Sequence, residues 1–371
     1  MIEDLASSQN PMEEFSLSQE SLTSDEVVLT KLTADKARVS TFKRQCGPDK
    51  ETFSKLRMEP VVKPCCLSPE EIKRRTGFDD EKVMLAYIVV ICNGDLEKMF
   101  SSKSRLTWFE EWFLYFEALW GRTWTRWEDL MNIFEVNRRV KIHEIFDEKC
   151  RIALEARSSW PRYASFEEDK KLRKEKWNGK YEGKRIVMWD DTNIPFSFKP
   201  GSALNQRTTY SSYYGMNCAK GGVSLQLCGW IGVEELWCGA TSDSHYQENT
   251  SILAQQQVFA ENDKVGNEEE CIPFTIILDK GYRIIRAAWR AGRQRCIQPF
   301  FAASDRQFRS KEVLVSASVA ADRSGNERAV NLTKACGILK RGLKPNACPV
   351  RLSNVWLAWS FQVNFMYASV L

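Results

Sequence analysis

Apolar residues in the stretch 106–120 fall at 106, 109, 112, 113, 116, 119 and 120, a helical spacing that predicts one face set into a core and a stop at Gly121. Trp124, Trp127, Leu130, Met131 and Phe134 predict a second, short helix. Val140, Ile142, Ile145, Phe146, Cys150 and Ala153 predict a third, ended by Pro161. Upstream, SPEEIKRRTGF reads as a helix start with Ser68 as N-cap, Pro69 in the first turn and Glu71 at the capping-box position. Residues 1–57, rich in Ser, Thr and Glu with little apolar periodicity, predict a disordered or weakly ordered tail. Residues 58–183 are expected to form a helical region. Its third helix bears Arg138, Arg139 and Lys141 near its start, an arrangement open to two readings: a helix-turn-helix-like DNA reader or an ordinary helical bundle.

Beyond residue 183 the pattern turns to strands. KRIVMWDD, residues 184–191, places bulky apolar residues between charges and predicts a central strand that delivers a carboxylate to the end of its sheet. Residues 223–230, after an expected Gly221-Gly222 turn, and residues 235–241, after the break around Gly232, predict an antiparallel meander beside it. Residues 248–260 read as a helix, and residues 274–278 as a second apolar strand running into Asp279. A helix with Arg283, Arg286, Arg290 and Arg293 on one face is expected next, then a strand from Cys296 and a helical C-terminal part. Three antiparallel strands, then strands alternating with helices, is the order of an RNase H-like α/β fold over residues 184–371, preceded by the all-helical region.

Composition alters this picture only locally. The 371 residues, 43% hydrophobic, supply a large core and suggest two domains with extensions. Net charge is only +4, yet residues 1–30 hold acids and no Lys or Arg, whereas residues 170–185 hold eight basic against two acidic side chains, 8 − 2 = +6. That basic run, led by Lys170, Lys171, Arg173 and Lys174, reads either as a solvated linker or, with Trp177 and Tyr181 among it, as a phosphate-binding or nuclear-import segment. The acidic start lacks the basic region and apolar core of a signal peptide, and the longest apolar run, residues 83–92, is far short of the ~20 residues that cross a bilayer. An intracellular protein without a membrane partner is expected. Twelve cysteines without a CxxC pair, and His143 and His245 as the two histidines, speak against a zinc module, a disulfide framework or Ser-His-Asp chemistry.

The remaining candidate chemistry is carboxylate chemistry. A lone strand-end Asp is ordinarily a turn or cap residue. Here two apolar strands run into Asp, 279 − 190 = 89 residues apart, and Glu327 follows 327 − 279 = 48 residues later in a segment with helical character. Carboxylates on adjacent strand ends and a facing helix would hold hard divalent cations such as Mg²⁺, leaving positions for phosphate and water. Two such ions about 3.5–4 Å apart serve phosphodiester cleavage.

MWDDTNI, NQRTTYSSYYGMNCAKGGVSLQLCGW, GATSDSHY, LDKGYR, NERAVNLTK with GILKRG, and VWLAWSFQVNFMY resemble the DDE endonuclease domain of Harbinger-type cut-and-paste transposases, from about Arg185 to the C-terminus. LTWFEEWFLYFEALWG and SSWPRYASFEEDKKLR resemble, more weakly, the helical region ahead of that domain. The resemblance implies Asp190, in DDT, as the first metal ligand, Asp279, in DKGY, as the second and Glu327 as the third, with Asp191 in a supporting or solvent role. Two features depart from the family. GILK begins 337 − 327 = 10 residues after Glu327 instead of almost at once, which keeps Glu312 and Asp322 as alternative third acids. The GSxxHD-like turn is SDSHY, so that Asp243 is either a turn former or a site-edge residue.

The implied activity is hydrolysis at transposon ends and joining of the freed 3′ hydroxyl to target DNA, with two Mg²⁺ or Mn²⁺ ions. Double-stranded DNA (terminal repeats and target), a Myb-like accessory protein and a second copy of the chain are the implied partners, in the nucleus. Arg283, Arg286, Arg290 and Arg293, with Lys170, Lys171, Arg173 and Lys174, are the candidate DNA-backbone contacts. A salt-bridged surface helix is the competing reading of the arginines, and Lys340, Arg341 and Lys344 form a lesser cluster of the same kind. The alternative function is a catalytically inactive DNA-binding regulator derived from such a transposase.

Overall fold

The computed structural model describes residues 67–102, 104–122, 126–196, 201–250, 252–263, 272–279, 281–300, 307–340 and 349–366. The expected tail 1–57, Trp124, Arg341 and Lys344 lie outside them. The chain divides into two compact units, Met1–Pro161 and Arg162–Leu371.

In the first unit, α1 (Pro69–Thr76) starts where Ser68 Oγ accepts the Glu71 N–H and ends at Gly77 with φ 84°. The Glu71 carboxylate turns instead to Arg74, 2.7 Å away. Helices α2 (Glu81–Ile91), α3 (Leu96–Phe100), α4 (Trp108–Trp120), α5 (Trp127–Ile133) and α6 (Arg139–Ser159) follow. Helix α4 begins two residues later than the apolar spacing suggests, because Thr107 and Glu110 form a reciprocal capping box. Every residue of α4 is buried, not one face alone. Its acids tolerate this because each is partnered: Glu110 caps, Glu111 pairs with Lys149 at 3.1 Å, and Glu117 pairs with Arg75 at 2.6 Å. The start of α6 is laced by surface ion pairs, Arg139 to Glu128 and Lys141 to Glu144, each 3.1 Å.

The second unit is mixed α/β. Helices α7 (Phe166–Leu172) and α8 (Glu175–Lys180) precede β1 (Arg185–Pro195). The basic run is therefore folded into this unit: Arg173 is buried and its guanidinium is bonded to Asp169 at 2.5 Å, while Arg185 is fully buried on Asp263 at 2.7 Å. Next come α9 (Ala203–Thr209), β2 (Tyr210–Ser211), β3 (Met216–Gln226), β4 (Ile231–Val233), β5 (Trp237–Cys238), α10 (Asp243–Asn249) and α11 (Ile252–Asn262). The chain continues through β6 (Phe274–Ile277), α12 (Ile285–Arg290), β7 (Arg295–Ile297), α13 (Ser310–Thr333), α14 (Gly337–Lys340) and α15 (Pro349–Met366).

Strand β1 is central. It pairs antiparallel with β3 and parallel with β6, which pairs parallel with β7. Successive stretches of β3 take β2, β5 and β4, all antiparallel. The Gly221-Gly222 pair is not a turn. Both residues lie inside β3, where a Cβ on Gly221 would meet the Trp356 ring at 2.9 Å and one on Gly222 the Tyr246 ring at 2.7 Å. Glycine here admits aromatic rings from distant parts of the chain. The region expected to be one helix over 248–260 is two, α10 and α11, broken near Thr250. The arginine helix is also shorter than expected: α12 spans Ile285–Arg290, leaving Arg283 ahead of it and Arg293 behind it at φ 56°. Only Arg286 and Arg290 share a helical face.

One side of the sheet is an apolar core of Val187, Trp189, Phe274, Ile276 and Leu278 against Ile252, Leu253, Ile284 and Ala288. At the β4 edge, α15 contributes a substitute rung: the Asn364 amide accepts from Ile231 N–H at 2.8 Å and donates to Ile231 C=O at 3.0 Å.

Candidate functional site

Strand register builds the site. In the parallel β1–β6 pair, Ile186 stands opposite Thr275 and Met188 opposite Ile277. The offset of 277 − 188 = 89 is the same as 279 − 190, so that register, carried two residues past the end of β6, sets Asp279 beside Asp190. Neighbouring strands lie about 4.8 Å apart, so the chain leaving β6 runs close beside Asp190. Residues of β1 alternate between faces, so Asp191 points to the other side.

Arg323 of α13 joins the pair. Its Nη1 donates to Asp279 Oδ1 at 2.8 Å and its Nη2 lies 3.7 Å from Asp190 Oδ2. The Asp190 side chain is 24% exposed, Asp279 50% and Arg323 13%, so the site opens to solvent on the Asp279 side. Burial pushes the Asp190 carboxyl up to about 6, against the pull of Arg323 and of the Asp191 N–H that donates to Oδ1 at 3.0 Å; Asp279 and Asp243 add to the rise. Asp190 is thus short of positive charge even with Arg323 beside it.

Helix α13 is anchored next to Arg323. Asp322 is buried, accepts from the Tyr181 hydroxyl at 2.5 Å and pairs with Lys180. Asp322, an alternative third acid, is committed to these partners. Glu312 caps the start of α13, accepting from Arg309 N–H at 2.8 Å. It stands 323 − 312 = 11 residues from Arg323, roughly 16 Å along the helix. Glu327 lies one turn beyond Arg323 and is exposed. Among the described residues no three His, Cys, Asp or Glu side chains gather as one ion would require. Asn326, between Arg323 and Glu327 in sequence, is buried with neither amide atom hydrogen-bonded.

On the opposite face, Asp191 Oδ1 accepts from Gln247 Nε2 at 2.6 Å, while Oδ2 is buried without a hydrogen-bond partner. Burial raises this carboxyl well above the ordinary range, helped by Asp243 and opposed by Lys220 and Gln247. Asp243 is the first residue of α10 and pairs with Lys220, so it neighbours the acids on the strand end as well as forming the turn.

Two neighbouring hard carboxylate donors suit Mg²⁺, which is commonly held by one or two carboxylates plus substrate phosphates. Arg323 competes for them. Arg283, Arg286, Arg290 and Arg293 are exposed, as are Lys170, Lys171 and Lys174, whereas buried Arg173 leaves the set of candidate phosphate contacts. Nothing in the DRSGNER segment marks Arg323 in advance, because its partners are 44 and 133 residues away (323 − 279 and 323 − 190). Among the described residues, no helix is long and apolar enough to cross a membrane. The chain matches no family model, no curated protein and no solved structure.

Proposed function

We propose that the second unit is a metal-dependent DNA endonuclease of the cut-and-paste transposase kind. The observation that carries this reading is the meeting of Asp190, on β1, and Asp279, two residues past the end of the parallel strand β6, at one guanidinium. The strand order β4-β3-β1-β6-β7, with the first three antiparallel and the last two parallel to β1, supports an RNase H-like interpretation. Two Mg²⁺ or Mn²⁺ ions, when bound, supply activation of the attacking oxygen and stabilisation of the leaving one. Asp190 and Asp279 hold the cations, and Glu327 is the third carboxylate of the proposal. Arg286 and Arg290, with Arg283, Arg293, Lys170, Lys171 and Lys174, hold the phosphate backbone of transposon ends and target DNA. A Myb-like accessory protein, a second copy of the chain and action in the nucleus belong to the same reading.

A second reading, a catalytically inactive regulator that binds DNA, is favoured by one observation: the Arg323 guanidinium faces the two aspartates. Nicking of supercoiled plasmid in Mg²⁺ or Mn²⁺ separates the two. Nicking by the purified chain that Asp190→Asn abolishes supports the nuclease; tight binding of plasmid without nicking supports the regulator.

A further inference from the structure

We propose that Arg323 and a divalent cation are mutually exclusive occupants of the Asp190–Asp279 pair, and that a DNA phosphate draws Arg323 away and so loads the site. The inference rests on the nuclease reading and adds to it a control on when the site fills.

Each terminal nitrogen of the guanidinium addresses a different aspartate, Nη1 on Asp279 at 2.8 Å and Nη2 near Asp190 at 3.7 Å. A guanidinium in that position is a cation placed on the two oxygens that an ion would need, and the two positive charges repel each other. The helix beneath it is anchored through the neighbouring Asp322, which binds Tyr181 and Lys180. Movement of Arg323 is therefore a swing of its own long side chain, without a shift of α13. Its hold is incomplete: Nη2 is beyond hydrogen-bond distance of Asp190, and Nε is buried with no hydrogen-bond partner. A phosphate offers the planar fork two acceptors at once, a better match than the divided contact it has. The exposed Asp279 side gives phosphate a route to it, and Arg286 and Arg290, on the helix that follows β6, lie in the same part of the chain.

Because coupling between two ligands is reciprocal, DNA tightens cation binding and the cation tightens DNA binding, both through Arg323. The test is Mn²⁺ binding to the full chain, followed by electron paramagnetic resonance, with and without a short DNA duplex. Wild type is compared with Arg323→Ala and Arg323→Gln, the latter keeping a long polar side chain in case truncation disturbs folding. The Asp190→Asn/Asp279→Asn double variant marks the site. The expected result is Mn²⁺ affinity about tenfold or more higher in both Arg323 variants, within the usual span of coupled binding, and a DNA-induced tightening present in wild type and absent from them. Equal or weaker Mn²⁺ binding by the Arg323 variants overturns the exclusion while leaving the nuclease reading standing. Mn²⁺ binding by wild type that DNA leaves unchanged overturns the phosphate hand-over. No Mn²⁺ binding by any chain overturns this proposal together with the nuclease reading.

Discussion

Replacing Asp190 by Asn should make the second unit more stable above pH 6, even though it removes a charged partner of Arg323. The folded carboxyl sits at about 6 against an ordinary 3.8. Between those values the folded chain holds a proton that the unfolded chain has released, so stability falls as pH rises through the window and stays at the lower plateau above it. The gap of 6 − 3.8 pH units, at 1.36 kcal/mol each, comes to about 3 kcal/mol as an upper figure. Asparagine resembles the protonated acid and escapes that cost. For a unit of this size the difference corresponds to roughly 6–12 °C in melting temperature. Thermal melts of wild type and Asp190→Asn at pH 4, 5, 6 and 8, without divalent cation, should show curves that coincide at the acid end and separate steadily to pH 6. Adding Mg²⁺ should then raise wild type but not the variant, because only the folded wild-type site gains a ligand. An Asn variant that is no more stable than wild type at pH 8 refutes the reasoning, for it would mean that Arg323 fully offsets burial of the charge.

Three further outcomes follow from the packing and the surface. Gly222→Ala sets a methyl 2.7 Å from the Tyr246 ring and should cost about 1–3 kcal/mol in urea unfolding; an unchanged midpoint would contradict the close approach. Asn364→Ala strips both partners from the Ile231 backbone and should cost about 1–3 kcal/mol, with hydrogen exchange at Ile231 speeding up as the site-specific sign. Arg286→Glu and Arg290→Glu should weaken plasmid binding across sequences and each lower the salt dependence of log K by about one, measured by anisotropy; an unaltered slope removes them from the phosphate contacts.

Much of the second unit was legible because apolar strands announce themselves. β1 and β6 lie where their bulky residues place them, and period-two alternation already separates Asp190 from Asp191. That Asp279 lies beside Asp190 depends on register, which follows from long-range pairing and cannot be counted along the chain. Gly221 and Gly222 were misleading for a related reason. Missing Cβ atoms signal both turns and close approach, and the Trp356 and Tyr246 rings that decide between them arrive from elsewhere. The arginine helix was overextended because charge spacing says nothing of its end, which comes with the left-handed residues Gly292 and Arg293. In α4 the apolar spacing implies one buried face, but Arg75 and Lys149 from neighbouring helices make burial of Glu117 and Glu111 tolerable as well. Arg323 had no local signature at all, since both of its carboxylate partners are supplied by the folded sheet.

The most direct test of the central claim is Mg²⁺-dependent nicking of supercoiled plasmid by wild type, Asp190→Asn, Asp279→Asn and Asp191→Asn side by side. The account predicts nicking by wild type, its loss in the first two variants and its substantial retention in Asp191→Asn, whose side chain occupies the other face of the sheet. Full activity in Asp190→Asn or Asp279→Asn, or equal loss in all three, would contradict it.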